Sequence, residues 1–249
     1  MDLTQAYREV HQGAIFLHQS EPYRVLSLDL DRLEAHVEEA EGGHYTEALE
    51  TIDITIKKNI DEKSLGFKSG LVNVEVTEYY SEYRLMRNEK KIDQQPLNLP
   101  PLHFPSIGFW FIIPESLVSN IRASALDFAG GIHAIEHAMI VISPIHAMCD
   151  PRDLGGVSTE RHRDTKEPTI FIYDGYRVGI GLSEKLHSLL PELLVSTLKL
   201  IQDCRCGGGC PSCIYSSKCG NNNEPLDKQA AIRLLNGLIG LLPRQEGTL

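Results

Sequence analysis

Five of the chain's six cysteines fall within one stretch of sixteen residues, Cys204-Arg-Cys206-Gly-Gly-Gly-Cys210-Pro-Ser-Cys213-Ile-Tyr-Ser-Ser-Lys-Cys219. The spacing is C-x-C-x3-C-x2-C-x5-C, and a Cys210-Pro-Ser-Cys213 turn is tight enough to aim two thiolates at one tetrahedral ion. The glycines at 207 to 209 allow positive φ and let the flanking sulfurs fold toward a common point. A disulfide cluster, or small buried apolar side chains, is the competing reading. The chain opens MDLTQAYREV, with no charged-then-apolar leader, and no apolar run long enough to span a bilayer is expected. The expected setting is therefore cytoplasmic, where thiols stay reduced and a cysteine cluster serves a metal. The expectation is a structural Zn2+. Four places and five candidates leave one sulfur over. Cys206, Cys210, Cys213 and Cys219 are the expected ligands, because Cys204 and Cys206 would both have to reach one ion across a single residue.

With 249 residues, 42 % of them hydrophobic, the chain can build one large core or two modest ones. Its formal charge is −10, unevenly spread: residues 1–114 hold 11 Lys+Arg against 19 Asp+Glu, and residues 115–249 hold 13 against 15. A phosphate-binding surface is normally basic, so bulk charge argues against a free-standing nucleic-acid binder. Lys57-Lys58, Arg84 with Arg87, Lys90-Lys91 and Arg161-His162-Arg163 read first as ordinary solvated faces.

The hydrophobic period changes near Pro114. Before it, residues 11–17 and 23–30 form a predicted hairpin around Gln19-Ser-Glu-Pro22. Residues 35–40, 51–56 and 72–77 read as further strands, the last two alternating apolar and polar, and 107–113 as a buried strand. Pro96, Pro100, Pro101 and Pro105 suggest an extended connector. After Pro114, residues 115–146 are helix-spaced, with an interruption predicted at Gly130-Gly131. Residues 169–173 read as a strand, and 182–203 as a helix that Pro191 kinks or breaks. Residues 226–242 are predicted as a last helix with Ala230, Ala231, Leu234, Leu235 and Leu238 on its core stripe. The fold class expected is α+β. A small antiparallel, barrel- or winged-helix-like part spans 1–114, and an α/β helical domain with a four-cysteine zinc knot spans 115–249.

Two further motifs compete for chemistry. His133-Ala-Ile-Glu136-His137 matches H-x-x-E-H, in which two imidazoles on one helix face hold zinc and the glutamate activates water. The bland alternative is a pair of buried histidines satisfied by Glu136, Asp150 or a backbone carbonyl. Asp174-Gly-Tyr-Arg177-Val-Gly179-Ile-Gly181 lies between a strand and a helix, where free N–H groups can hold an anion, although simple turn geometry is the stronger reading. No G-x-x-x-x-G-K-[ST] occurs, so no ATP site of the P-loop kind is expected.

The runs Gly130-Gly-Ile-His-Ala-Ile-Glu-His-Ala138, Met148-Cys-Asp-Pro-Arg-Asp-Leu-Gly-Gly156, Thr169-Ile-Phe-Ile-Tyr-Asp174, Gly209-Cys-Pro-Ser-Cys213, Lys218-Cys-Gly-Asn221 and Asn223-Glu-Pro-Leu-Asp-Lys228 occur in that order. Together they resemble the C-terminal zinc-binding domain of the mitomycin repair factor A-like helicases, of the Hrq and RecQ-like group. Residues 7–18 resemble the segment that follows the motor in that family. The resemblance implies an accessory domain of a 3′→5′ ATP-dependent DNA helicase acting in DNA repair, which braces two RecA-like lobes and guides single-stranded DNA. Those lobes would act in cis on a longer chain or in trans, and no activity is expected of this chain alone. It also implies zinc ligands Cys206, Cys210, Cys213 and Cys219, with Cys204 frequently beside them. After Tyr176 the family often shows Pro-Gly, where this chain has Arg177-Val178. Arg152, Arg177 and Lys218 are the candidate nucleic-acid contacts. No membrane partner is expected. The alternatives are a zinc metallopeptidase using His133, Glu136 and His137, and a non-catalytic protein-interaction adaptor.

Overall fold

The computed structural model describes residues 1–243. The fold is α+β, with antiparallel sheets and helices, and it divides into two compact units. The first joins Met1–Ile52 to Thr77–His103, and the second joins Asp53–Val76 to Phe104 onward. The chain thus parts at three places inside long strands, and not by one cut at Pro114. Periodicity marks where strand gives way to helix, but a unit boundary within a strand leaves no such mark.

In the first unit, α1 (Leu3–Glu9) starts at Asp2, whose carboxylate accepts the Gln5 N–H. Strands β1 (Ile15–His18), β2 (Glu21–Asp29) and β3 (Glu34–Glu39) form an open antiparallel meander in sequence order, and not a barrel. The β1–β2 turn is only Gln19-Ser20, both at positive φ. Pro22 therefore lies inside β2 opposite Leu17, not in the turn. Val10, Ala14 and Val25 make the small core here, with Ala6, Phe16 and Leu28 packed on it.

Strands β4 (His44–Ser64) and β5 (Lys68–Arg87) are much longer than the short runs the alternation suggested, and each passes from one unit into the other. In the first unit β6 (Lys90–Pro96) pairs with residues 82–87 of β5. The sheet order continues β4-β5-β7-β9-β8, with β7 at Leu102–Ile112, β8 at Leu154–Thr159 and β9 at Thr169–Asp174. The last two pairings are antiparallel, Gly108 facing Tyr173 and Leu154 facing Asp174. Every residue of β9 is buried, as its unbroken apolar run requires.

The helices of the second unit are α2 (Glu115–Ala123), α3 (Phe128–Ile142), α4 (Pro144–Ala147), α5 (Leu182–Ser188), α6 (Leu190–Asp203) and α7 (Lys228–Leu241). Helix α3 is the centre, packed on β8 and β9 on one side and on α6 and α7 on the other. Gly130-Gly131 does not interrupt it. The break falls at Ala125, at positive φ, and Asp127 caps α3 by accepting the Gly130 N–H. A Cβ on Gly131 would stand 2.7 Å from the Ala230 Cβ, so the glycine lets α3 and α7 touch closely. Pro191 does mark a break: α5 ends at Ser188, and Pro191 sits in the first turn of α6. The segment Phe128–Ala147 reaches the length and mean hydropathy, 1.3, of a membrane span, contrary to the expectation that no run would; 61 % of its most apolar 18-residue window is buried within the protein, as befits a core helix.

Candidate metal centre

Cys204 follows the last residue of α6 in extended conformation, at φ −73° and ψ 121°. Alternate side chains of an extended backbone point the same way. Cys204 and Cys206 therefore face one point while Arg205 turns to solvent, and their sulfurs lie 3.6 Å apart. The Cys210 carbonyl accepts the N–H groups of Cys213, Ile214 and Tyr215, which closes the Cys210-Pro-Ser-Cys213 turn. Three further Sγ separations are 3.5 Å for Cys204 to Cys210, 3.5 Å for Cys206 to Cys213 and 3.8 Å for Cys210 to Cys213. Sulfurs placed tetrahedrally about 2.3 Å from a zinc ion are about 3.8 Å apart. The four thiols fit Zn2+. None of the six cysteines is in a disulfide.

The quartet the structure gathers is Cys204, Cys206, Cys210 and Cys213, not the expected set containing Cys219. The objection to Cys204 fails because x in C-x-C can point away. Of the three glycines only Gly209 has positive φ, +137°, and a Cβ there would meet the side chains of Tyr215 and Ile214. Cys219 is drawn off instead to α3, its Sγ 3.5 Å from His133 Nε2.

Residues 135–214 match the family described as MZB, the MrfA Zn-binding domain. Over 111 residues the chain is 47 % identical to an uncharacterized protein of Methanocaldococcus jannaschii, MJ1572.1, covering 43 % of this chain and 99 % of that one. The chain belongs to the MrfA zinc-binding-domain family. It is also 31 % identical over 221 residues to the uncharacterized ATP-dependent helicase YprA of Bacillus subtilis, covering 86 % of this chain and 29 % of that protein. A crystal structure described as DUF1998 helicase MrfA bound to DNA shares its fold with a TM-score of 0.64 at 26 % identity, covering 95 % of this chain and 31 % of that chain. The chain thus spans under a third of these helicases and nearly all of the methanogen protein.

Around the cysteines of this MrfA-type domain, Lys228 was missed by sequence reasoning. It opens α7 and is buried, and its Nζ donates to the carbonyls of Cys204 at 2.7 Å and Cys206 at 2.8 Å, with Cys206 Sγ at 3.3 Å. Burial pushes the Cys206 thiol up, but bonds from Cys213, Cys204 and Lys228 outweigh it and bring the thiol down to about 7. A zinc ion with four thiolates carries net −2, and a buried ammonium beside it offsets part of that. Bulk charge counting treated Lys228 as one cation among several; in the fold it is aimed at the knot.

His133 and His137 lie one turn apart on α3, their rings at 64° with centroids 4.3 Å apart. His133 Nδ1 is 2.9 Å from the Pro225 carbonyl, and His137 Nδ1 is 2.8 Å from the Ile214 carbonyl. Desolvation, then the neighbouring His133, lowers the His137 pKa to about 4, and burial lowers that of His133. Glu136 turns elsewhere, toward β8: its side chain lies where a Cβ on Gly156 would stand, and Ser158 bonds to it. Burial raises its pKa to about 7 against those bonds. A peptidase would need this carboxylate on a metal-bound water, and here it is committed to the sheet.

The Asp174 loop holds an anion of its own. The Asp174 carboxylate is fully buried and accepts from the N–H groups of Ile180, Gly181, Leu182 and Ser183 and from the Ser183 hydroxyl, at 2.6 to 3.3 Å. Of the candidate contacts, Arg152 and Arg177 are exposed. Lys218 Nζ donates to the carbonyls of Pro151 and Leu154, while Tyr176 OH donates to Asp153 at 2.6 Å. The loops carrying all three residues therefore meet at the 3-10 turn Pro151–Asp153. Two other basic patches are ion-paired: Lys57 with Glu75 and Arg163 with Asp53.

Proposed function

We propose that this chain is the zinc-braced accessory domain of a 3′→5′ DNA helicase that acts in DNA repair, steadying motor lobes in cis or trans and guiding single-stranded DNA. One observation carries this reading: the likeness to a helicase described as bound to DNA covers 95 % of the chain. The four-thiolate knot supports a structural ion, since four protein ligands leave no coordination place for substrate, and metal binding in such modules is folding energy. The loop cluster of Arg152, Arg177 and Lys218 supports a phosphate contact made by individually placed side chains. A net charge of −10 supplies no bulk attraction.

Fluorescence anisotropy with a labelled single strand at low salt tests the reading. Binding is expected, and each of Arg152→Ala and Arg177→Ala should weaken it uniformly across sequences and lower the salt slope by about 1. If the zinc-loaded protein binds no DNA yet forms a stable complex with a helicase motor chain, the domain is an adaptor and the guiding role is wrong.

A further inference from the structure

The structure assigns a second metal site to this domain, in which His133 Nε2, His137 Nε2 and Cys219 Sγ hold a zinc ion distinct from that of the cysteine quartet. The three residues come from α3 and from the loop between the knot and α7, and their donor atoms all lie within 4.8 Å of one another.

Two independent features aim these atoms at a cation. The first is the tautomer of each ring. A backbone carbonyl only accepts, so the Nδ1 facing Pro225 O and the Nδ1 facing Ile214 O must each carry the proton. A neutral imidazole protonated at Nδ1 has its lone pair on Nε2. An imidazole whose far N–H is anchored on a carbonyl is the usual arrangement around a metal-bound histidine, and it fixes ring orientation as well as basicity. The second is the sulfur. Cys219 Sγ accepts the Asn223 N–H at 3.2 Å, a contact that favours thiolate, while it lies 3.5 Å from His133 Nε2. With zinc–nitrogen about 2.05 Å and zinc–sulfur about 2.3 Å, tetrahedral donors stand about 3.6 Å apart. The observed separation matches that edge.

Two nitrogens and one thiolate suit zinc or its substitute cobalt, and not the oxygen-seeking magnesium or calcium. Three protein donors leave a fourth place for water or an added ligand. One thiolate on a dication leaves local charge +1, opposite in sign to the quartet. The ion would clip the Cys219 loop onto α3, and because His137 is anchored on the residue following Cys213, it would join that clip to the knot. Glu136 faces β8, so the site does not revive peptidase chemistry.

The test is metal content of the whole chain after purification with zinc and exhaustive dialysis, repeated as a cobalt titration read by visible absorption. About two ions per chain are expected, the second cobalt equivalent adding bands of a mixed nitrogen–sulfur centre to those of the four-sulfur one. Cys219→Ser and, separately, His137→Gln should each fall to about one ion and lose only the second set of bands. If the unaltered protein holds one ion with four-sulfur bands alone, Cys219 and His133 share only an S–H···N hydrogen bond and the assignment is wrong. Retention of two ions by a folded Cys219→Ser protein would overturn it as well. Should His137→Gln not fold, the unaltered protein and Cys219→Ser decide the matter.

Discussion

The ammonium of Lys228 lies 3.3 Å from the sulfur of Cys206, twenty-two positions earlier in the chain, and holds two carbonyls of the same turn. The first residue of α7 is thereby made part of the wall of the metal centre.

Lys228→Met keeps the length and apolar stem of the side chain but removes its charge and all three bonds. Zinc retention against a chelator should weaken about 10- to 100-fold, the usual effect of losing a group that supports metal ligands. An unchanged chelator midpoint would show that Lys228 does not act on the knot.

Asp174→Ala would leave four N–H groups and a hydroxyl without the buried carboxylate that they share. Each unsatisfied buried donor costs about 1–3 kcal/mol, so even with water partly replacing the carboxylate a loss of more than about 3 kcal/mol is expected in urea unfolding. Loss of under about 1 kcal/mol would mean that the loop is held by other contacts.

Two glycines of the packed helices should respond with opposite signs. Gly131→Val forces bulk into the α3–α7 contact and should destabilise by about 2 kcal/mol or more. Gly240→Ala on α7 meets no atom within 4 Å and should stabilise by about 0.5–1 kcal/mol through helix propensity. Thermal melts of the two proteins check both.

Acid should destabilise the second unit through His187. Burial, then the charge of Lys63, lowers its pKa from the ordinary 6.5 to about 4, and its Nε2 lies 2.8 Å from the Ser69 hydroxyl. Between those two pH values the unfolded chain binds a proton that the folded one does not, so stability rises with pH across the window. The contribution is complete above about 6.5 and lost as pH falls toward 4. His187→Gln should flatten that part of the pH–stability curve, and a curve with unchanged slope would count against the assignment.

What could be read in advance, and what could not, follows from the range of the interactions. Helices α6 and α7 were legible because their apolar residues recur at helical spacing, and the break near Pro191 because proline acts on its own turn. The β1–β2 hairpin was legible too, although its turn is Gln19-Ser20. The α2–α3 break at Ala125 was not, since nothing local marks that residue for positive φ, whereas Gly130-Gly131 advertises flexibility and is used for helix contact instead. The Asp174 loop reads first as simple turn geometry, with a guest anion as the alternative, and the chain supplies the carboxylate itself. In the knot, the expected Cys206, Cys210 and Cys213 lie in the gathered quartet, with Cys204 in the place expected of Cys219. The position of Cys204 depends on whether the backbone after Asp203 runs extended, which residue spacing alone leaves open.

The sequence by itself determined that there is a cysteine knot, that it lies between two amphipathic helices, and that the chain resembles the MrfA-type zinc domain, because these rest on residues close together or in fixed order. Only the tertiary structure decided which cysteines share a centre. Cys219 follows Cys213 by six residues, as Cys210 follows Cys204, so spacing does not tell the two apart; α3 does, bringing His133, eighty-six positions away, to the sulfur of Cys219. Donor atoms are sorted by distance in space, and that distance is set by the packing of α3 against the sheet and α7.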